Sequence, residues 1–254
     1  MYTEGARHLF LKFLIPTVCA CLLTEAIAEP SFVHAVEECT NTADPRAAIA
    51  GCTAVIEGAE ANDDQLKLAF NNRANAHGYL GSVPQAIDDY SRALALDPHY
   101  GNARFNRGSL YFDAGQLDLA IRDFDVVIEL EPQRTDALNN RGLAALRSEK
   151  IEPAIADFST AIEQEPSVAF PYNNRGVAWR RKGDYDRAIA DFSAAIELSP
   201  EYTGALNNRG EVRVLIGRPE LAEIDFRRVL EIDPRHESAK RNLQFLTDSG
   251  VSRR

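Results

Sequence analysis

The sequence predicts an all-α protein made of stacked helical hairpins, and three observations carry that prediction. The tripeptide Asn-Arg-Gly stands at 106–108, 140–142, 174–176 and 208–210, a step of 34 residues each time, and an altered copy, Asn72-Arg73-Ala74, keeps the step. A proline follows each copy at constant distance: Pro98, Pro132, Pro166, Pro200 and Pro234. Between tripeptide and proline, apolar residues recur at helical spacing. One hairpin cannot bury its apolar stripe alone, so units repeating at this period stack on one another.

Within one unit, 135–168, Leu138 precedes Gly142 by one turn, and Ala154, Phe158 and Ala161 follow at helical spacing before Pro166 ends the second helix. The slots agree across units: Ala86, Ala120, Ala154, Ala188 and Ala222, each followed four residues later by a ring, Tyr90, Phe124, Phe158, Phe192 and Phe226. A small residue beside a ring lets two helices approach closely. Gly81, Gly115, Gly183 and Gly217 fall in the turn between the helices, where the third unit has Glu149 instead. On these residues the chain resembles the tetratricopeptide repeat family over units 67–100, 101–134, 135–168, 169–202 and 203–236. The resemblance implies a right-handed superhelical solenoid of antiparallel helix pairs, with the first helix of each pair lining a concave groove.

The first 28 residues differ from the rest. Arg7 and Lys12 precede an apolar run from Phe13 to Leu23, and Ala26-Ile27-Ala28 supplies a small-x-small pattern, which reads as a secretory signal peptide cleaved before Glu29. The alternative is lipid attachment at Cys21, within Val18-Cys19-Ala20-Cys21. The apolar run is too short, and too interrupted by Pro16, for a membrane span. The chain carries a net charge of −10, and the leader holds two acids and two bases, so the balance persists after cleavage. That balance argues against nucleic acid and against anionic membrane surfaces as partners. Localisation is therefore expected to be periplasmic or secreted.

Residues 29–62 read as a degenerate hairpin in which Cys52 takes the ring slot and Cys39 the first-helix slot of Tyr111 and Trp179. In an exported protein these two cysteines are expected to form a disulfide, against the alternative of two buried thiols. Residues 237–254 read as a capping helix and tail, with Leu243 and Leu246 on one face.

Two further series run through every unit. Arg73, Arg107, Arg141, Arg175 and Arg209 match Asp89, Asp123, Asp157, Asp191 and Asp225 at a fixed offset, which suggests ion pairs that set register; as exposed pairs they would contribute about 0–1 kcal/mol each. Beside each Arg stands Asn72, Asn106, Asn140, Asn174 or Asn208, and a second Asn precedes it in every unit but the second, which has Phe105. Asn is a mediocre helix former, so a pair in mid-helix calls for a cause. Two are open: amides that bond neighbouring helices, or amides that face the groove and bond an extended peptide, as the family resemblance implies. Deeper on the same face, Tyr79, Phe112, Leu143, Leu146 and Val177 offer apolar surface, while Arg147, Arg180 and Arg181 form a basic cluster fit for a carboxylate or simply for a helix end. No histidine or cysteine pair has metal-ligand spacing, and no phosphate loop or nucleophile motif occurs. The expected function is a non-catalytic scaffold, without cofactor or metal, that binds a protein or peptide; an envelope adaptor or an accessory subunit of an envelope enzyme or export complex is the alternative.

Overall fold

The computed structural model describes residues 31–41 and 43–248; the expected signal peptide, the Cys21 alternative and the tail after Asp248 lie outside the described residues. Thirteen helices follow one another among them: α1 (Phe32–Cys39), α2 (Pro45–Glu57), α3 (Asp63–Tyr79), α4 (Val83–Leu96), α5 (Gly101–Asp113), α6 (Leu117–Leu130), α7 (Thr135–Arg147), α8 (Ile151–Gln164), α9 (Ala169–Lys182), α10 (Tyr185–Leu198), α11 (Thr203–Leu215), α12 (Pro219–Ile232) and α13 (Glu237–Asp248). Odd and even helices pair into hairpins, and each even helix also packs on the next odd one. Odd helices touch their odd neighbours while even helices never touch each other, so the stack curves with the odd helices on its inner side.

Local chemistry explains the boundaries. Each second helix of a full hairpin stops two residues before its proline, because the residue ahead of proline is driven out of the α region: Asp97, Glu131, Glu165, Ser199 and Asp233 all have ψ between 73° and 95°. The turn glycines 81, 115, 183 and 217 have φ of 72–85°, and Glu149 takes the same left-handed turn at φ 59°. The four residues 63–66, which separate the degenerate hairpin from the unit 67–100, start α3 a turn early. Asn62 caps the helix, with Gln65 answering in a reciprocal capping box, and Asp63 and Asp64 complement the positive end of the helix dipole.

The core is a row of rings. Phe124, Phe158, Phe192 and Phe226 are fully buried. A Cβ on the first-helix glycine facing each would stand 3.0, 2.7, 2.7 and 2.5 Å from the ring for Gly108, Gly142, Gly176 and Gly210. Each ring clusters with small residues of its own second helix, and most reach the following first helix, as Phe124 does with Ala144 and Phe158 with Ala178. At the amino end, Cys39 and Cys52 are bonded, their Cα atoms 4.4 Å apart, and the tight crossing is made possible by Gly51, whose Cβ would meet Cys39 N at 2.6 Å. Closing a loop this short contributes about 3 kcal/mol. At the other end Leu246 is buried and Leu243 packs beside it, so α13 covers the last hairpin.

The Arg–Asp pairs depart from their expected exposure. Asp89, Asp123, Asp157, Asp191 and Asp225 are only 1–6% exposed. Each accepts two parallel bonds from its arginine, for example Arg107 Nε to Asp123 Oδ2 at 2.8 Å and Nη2 to Oδ1 at 2.7 Å. The third guanidinium nitrogen reaches back to the previous second helix: Arg73 to Thr53, Arg107 to Ser91, Arg141 to Asp125, Arg175 to Ser159 and Arg209 to Ser193, at 2.7–3.1 Å. One arginine thus pins three helices of two hairpins. Burying a charge in such a network makes the removal of one partner costly, about 3–5 kcal/mol, where a surface pair would be nearly free to lose.

Candidate functional site

The inner face is built from the odd helices, and the asparagines set its chemistry. Asn71, Asn139, Asn173 and Asn207 are 6–7% exposed, while Asn72, Asn106, Asn140, Asn174 and Asn208 are half-buried at the surface of that face. From the third full hairpin onward the amides form a ladder between neighbouring odd helices. Asn174 Nδ2 donates to Asn139 Oδ1 at 2.9 Å, Asn208 to Asn173 at 3.0 Å, and Asn242 to Asn207 at 3.2 Å. Asn242 was not singled out from the sequence, although it stands one further step of 34 residues beyond Asn208; its neighbours Leu243 and Gln244 have lost the tripeptide that marks the other units.

The ladder breaks in the first two full hairpins. By its spacing Asn140 would donate to position 105, but Phe105 stands there, packed on Phe124 with ring centroids 5.8 Å apart and covered by the Arg134 guanidinium. The Asn140 side chain makes no hydrogen bond among the described residues. Asn106 donates instead to Asn75 Oδ1 at 3.1 Å, which also receives the Tyr90 hydroxyl at 2.5 Å, and the buried Oδ1 of Asn71 has no partner. Burial pushes the Tyr90 phenol up to about 12.

Each of the three basic residues has a partner of its own. Arg147 stacks over the Phe112 ring and donates to the Phe112 carbonyl at 3.0 Å, and Arg181 donates to the Leu146 carbonyl at 2.8 Å, so each closes the carboxyl end of the preceding odd helix. Arg180 pairs with Glu211. Glu211 stands where the two preceding units have Leu143 and Val177, and the base two residues on, Arg213, bonds Asp225 at 2.7 Å. Burial holds the Arg213 guanidinium below its ordinary value, and Asp225 opposes that.

Two cavities open on the inner face. One, of about 410 Å³, lies between α9, α11 and α13, where Arg180, Arg181 and Glu211 rim an apolar floor that includes Leu215 and Phe245. The other, of about 290 Å³, lies at the amino end beside Asn72 and Tyr79. The structure therefore brings Arg180 and Arg181 together, places Phe112 and Arg147 against each other in mid-face, and leaves Tyr79 82% exposed at the far end. Among the described residues no three His, Cys, Asp or Glu side chains are placed to hold a metal ion, and no helix is long and apolar enough to cross a membrane.

Family models described as tetratricopeptide repeat match residues 71–135, 111–169, 169–202 and 203–236. No curated protein matches the chain. Among solved structures the chain is similar to YrrB, described as a TPR protein with an unusual peptide-binding site, at 22% identity over 76% of this chain and 97% of that one, with a TM-score of 0.62. It is also similar to MamA of Desulfovibrio magneticus RS-1, at 19% identity over 70% of this chain and 99% of that one, with a TM-score of 0.64. A chain of the APC/C hetero-tetramer Cut9-Hcn1 matches at 22% identity over 80% of this chain and 39% of that one, with a TM-score of 0.63. At these identities the likeness is one of fold, the right-handed solenoid of antiparallel helix pairs. Since matched repeats run without a gap from residue 71 to residue 236, the chain belongs to the tetratricopeptide repeat family.

Proposed function

We infer that this protein is a non-catalytic scaffold that holds an extended polypeptide along its concave face. One observation carries the reading: outer asparagine amides recur once per hairpin on the inner face, and the fold leaves donors on several of them unused, most plainly on Asn140. Packed helices stand about 10 Å apart, a distance that an extended chain covers in about three residues. One amide per hairpin therefore meets every third peptide group. The cavity with Arg180, Arg181, Leu215 and Phe245 suits an apolar side chain close to a carboxylate, while Tyr79 and Phe112 offer rings. YrrB, with its peptide-binding site, shares the fold and is consistent with this reading.

The test is selection from a random peptide display library, followed by Asn140→Ala. Because the Asn140 side chain bonds nothing among the described residues, its loss is expected to weaken binding of selected peptides about tenfold while leaving stability within about 0.5 kcal/mol. Unchanged binding by the variant, or no selected peptide at all, would remove the groove as the site. The Cys39–Cys52 bond favours an oxidising compartment, in keeping with an exported chain. Mass spectrometry of the mature amino terminus decides between a free Glu29 and a lipid-bearing Cys21.

A further inference from the structure

The cavity at the amino end of the inner face has two walls of different origin. One is the α3 surface of Asn72, Asn75, Ala76 and Tyr79. The other is Cys39, Thr40, Asn41, Pro45 and Ala48, all of them on the stretch that the Cys39–Cys52 bond closes into a loop. Among the described residues no charged side chain lines this space, although the chain as a whole carries −10. Asn72 and Asn75 are three residues apart and so share one face of α3. Their Nδ2 groups make no hydrogen bond among the described residues, and the Oδ1 of Asn75 is already occupied by Tyr90 and Asn106. Tyr79 presents its ring to solvent with no partner among the described residues.

Resting on the peptide-scaffold reading, we propose that this cavity is a side-chain pocket for a neutral, extended segment of the partner. An uncharged apolar side chain the size of Leu or Phe enters between the Tyr79 ring and the disulfide loop, and the backbone carbonyls on either side of it accept from Asn72 and Asn75. A charged side chain is excluded because the pocket would strip its water and return no counter-charge. An apolar side chain with its flanking peptide groups uses both the bare floor and the unused donors. The disulfide then has a task besides stapling a terminal hairpin: it holds one wall of the pocket in place, so the oxidised chain is the binding-competent one.

Short peptides, uncharged outside a central Leu, Lys or p-benzoyl-phenylalanine, test this against the oxidised protein, the reduced protein and Tyr79→Ala, a change at a side chain exposed enough not to threaten folding. By calorimetry the Leu peptide is expected to bind the oxidised protein about tenfold more tightly than the Lys peptide, and to lose about that factor on reduction and in Tyr79→Ala. Photo-crosslinks of the benzoyl peptide should fall within residues 39–48 and 72–79. Equal affinity for Leu and Lys, no loss in Tyr79→Ala, no loss on reduction, or crosslinks confined to α5 through α13 would each overturn the pocket while leaving the scaffold reading standing. Failure of every peptide to bind would sink both.

Discussion

Replacing Gly142 by Ala sets two effects of known size against each other. In the interior of a helix the change gains about 0.5–1 kcal/mol, because glycine surrenders more backbone freedom on folding. Here the added methyl would stand 2.7 Å from Phe158 Cε1, 3.0 Å from Cζ and 3.1 Å from Cδ1. The ring cannot retreat: it is fully buried and is wedged among Ala145, Leu146, Ala154 and Ala178, the last of these on the next hairpin. Overpacking of this kind costs about 1–3 kcal/mol, so the net expectation is a loss of about 1–2 kcal/mol. Gly78→Ala is the matched control, since the nearest atom to its Cβ is Leu110 Cδ2 at 4.0 Å; there the backbone gain acts alone and stability should rise by up to about 1 kcal/mol. The same substitution in the other hairpins should rank by clearance, Gly210 at 2.5 Å the worst and Gly108 at 3.0 Å the mildest. Urea denaturation compares midpoints and slopes across the set. A stabilised Gly142→Ala, or a Gly78→Ala that loses as much, would show that ring-to-glycine contact does not set the spacing within a hairpin.

Three further outcomes follow from the fold. Asp191→Ala strips the carboxylate from Arg175 and should cost about 3–5 kcal/mol in urea denaturation; a loss below about 1 kcal/mol would return these pairs to the surface class. Glu149→Gly should stabilise by about 0.5–1 kcal/mol in the same assay, because the left-handed turn at φ 59° strains any residue with a Cβ; a loss would mean that the Glu149 side chain has a role of its own. Burial raises the Tyr90 phenol from 10 to about 12, so its contribution to stability is complete below pH 10 and is lost as pH climbs through 12. Phenolate absorbance compared between the protein and Tyr90→Phe should show that group titrating above the exposed tyrosines.

The period was legible because each structural need is repeated four or five times: a glycine beneath a ring and a turn glycine in four units, a small residue beside the ring and a proline stop in all five, at the same step. The partner of each arginine was legible for the same reason, at an offset of 16 residues in every hairpin. Its burial was not, because the third guanidinium bond goes to the previous hairpin, and that contact exists only once the stack has formed. The early start of α3 was missed by counting 34-residue units where the Asn62 capping box, a local signal, outranks the period. The asparagines divided for a similar reason. Whether an amide is spent inside the fold depends on residues of the preceding odd helix, 35 positions earlier for Asn174 and Asn208 but 31 for Asn106, and no pattern within one unit carries that information.

That dependence can be turned into a test of what the free amides do. At 139, 173 and 207 an asparagine accepts from the amide 35 residues later; at 105 a phenylalanine does not. Phe105→Asn should therefore give Asn140 the acceptor it lacks and extend the ladder into the second full hairpin. The change forfeits the stacking of Phe105 on Phe124 and under Arg134, about 1–3 kcal/mol, of which one amide bond returns about 1 kcal/mol. If an unspent Asn140 donor holds peptide backbone, Phe105→Asn should weaken peptide binding about as much as Asn140→Ala does, and the double variant should bind no worse than either one, since both remove the same donor. Additive losses would separate the two positions, and binding untouched by Phe105→Asn would mean that Asn140 is free in the fold without being used on the groove.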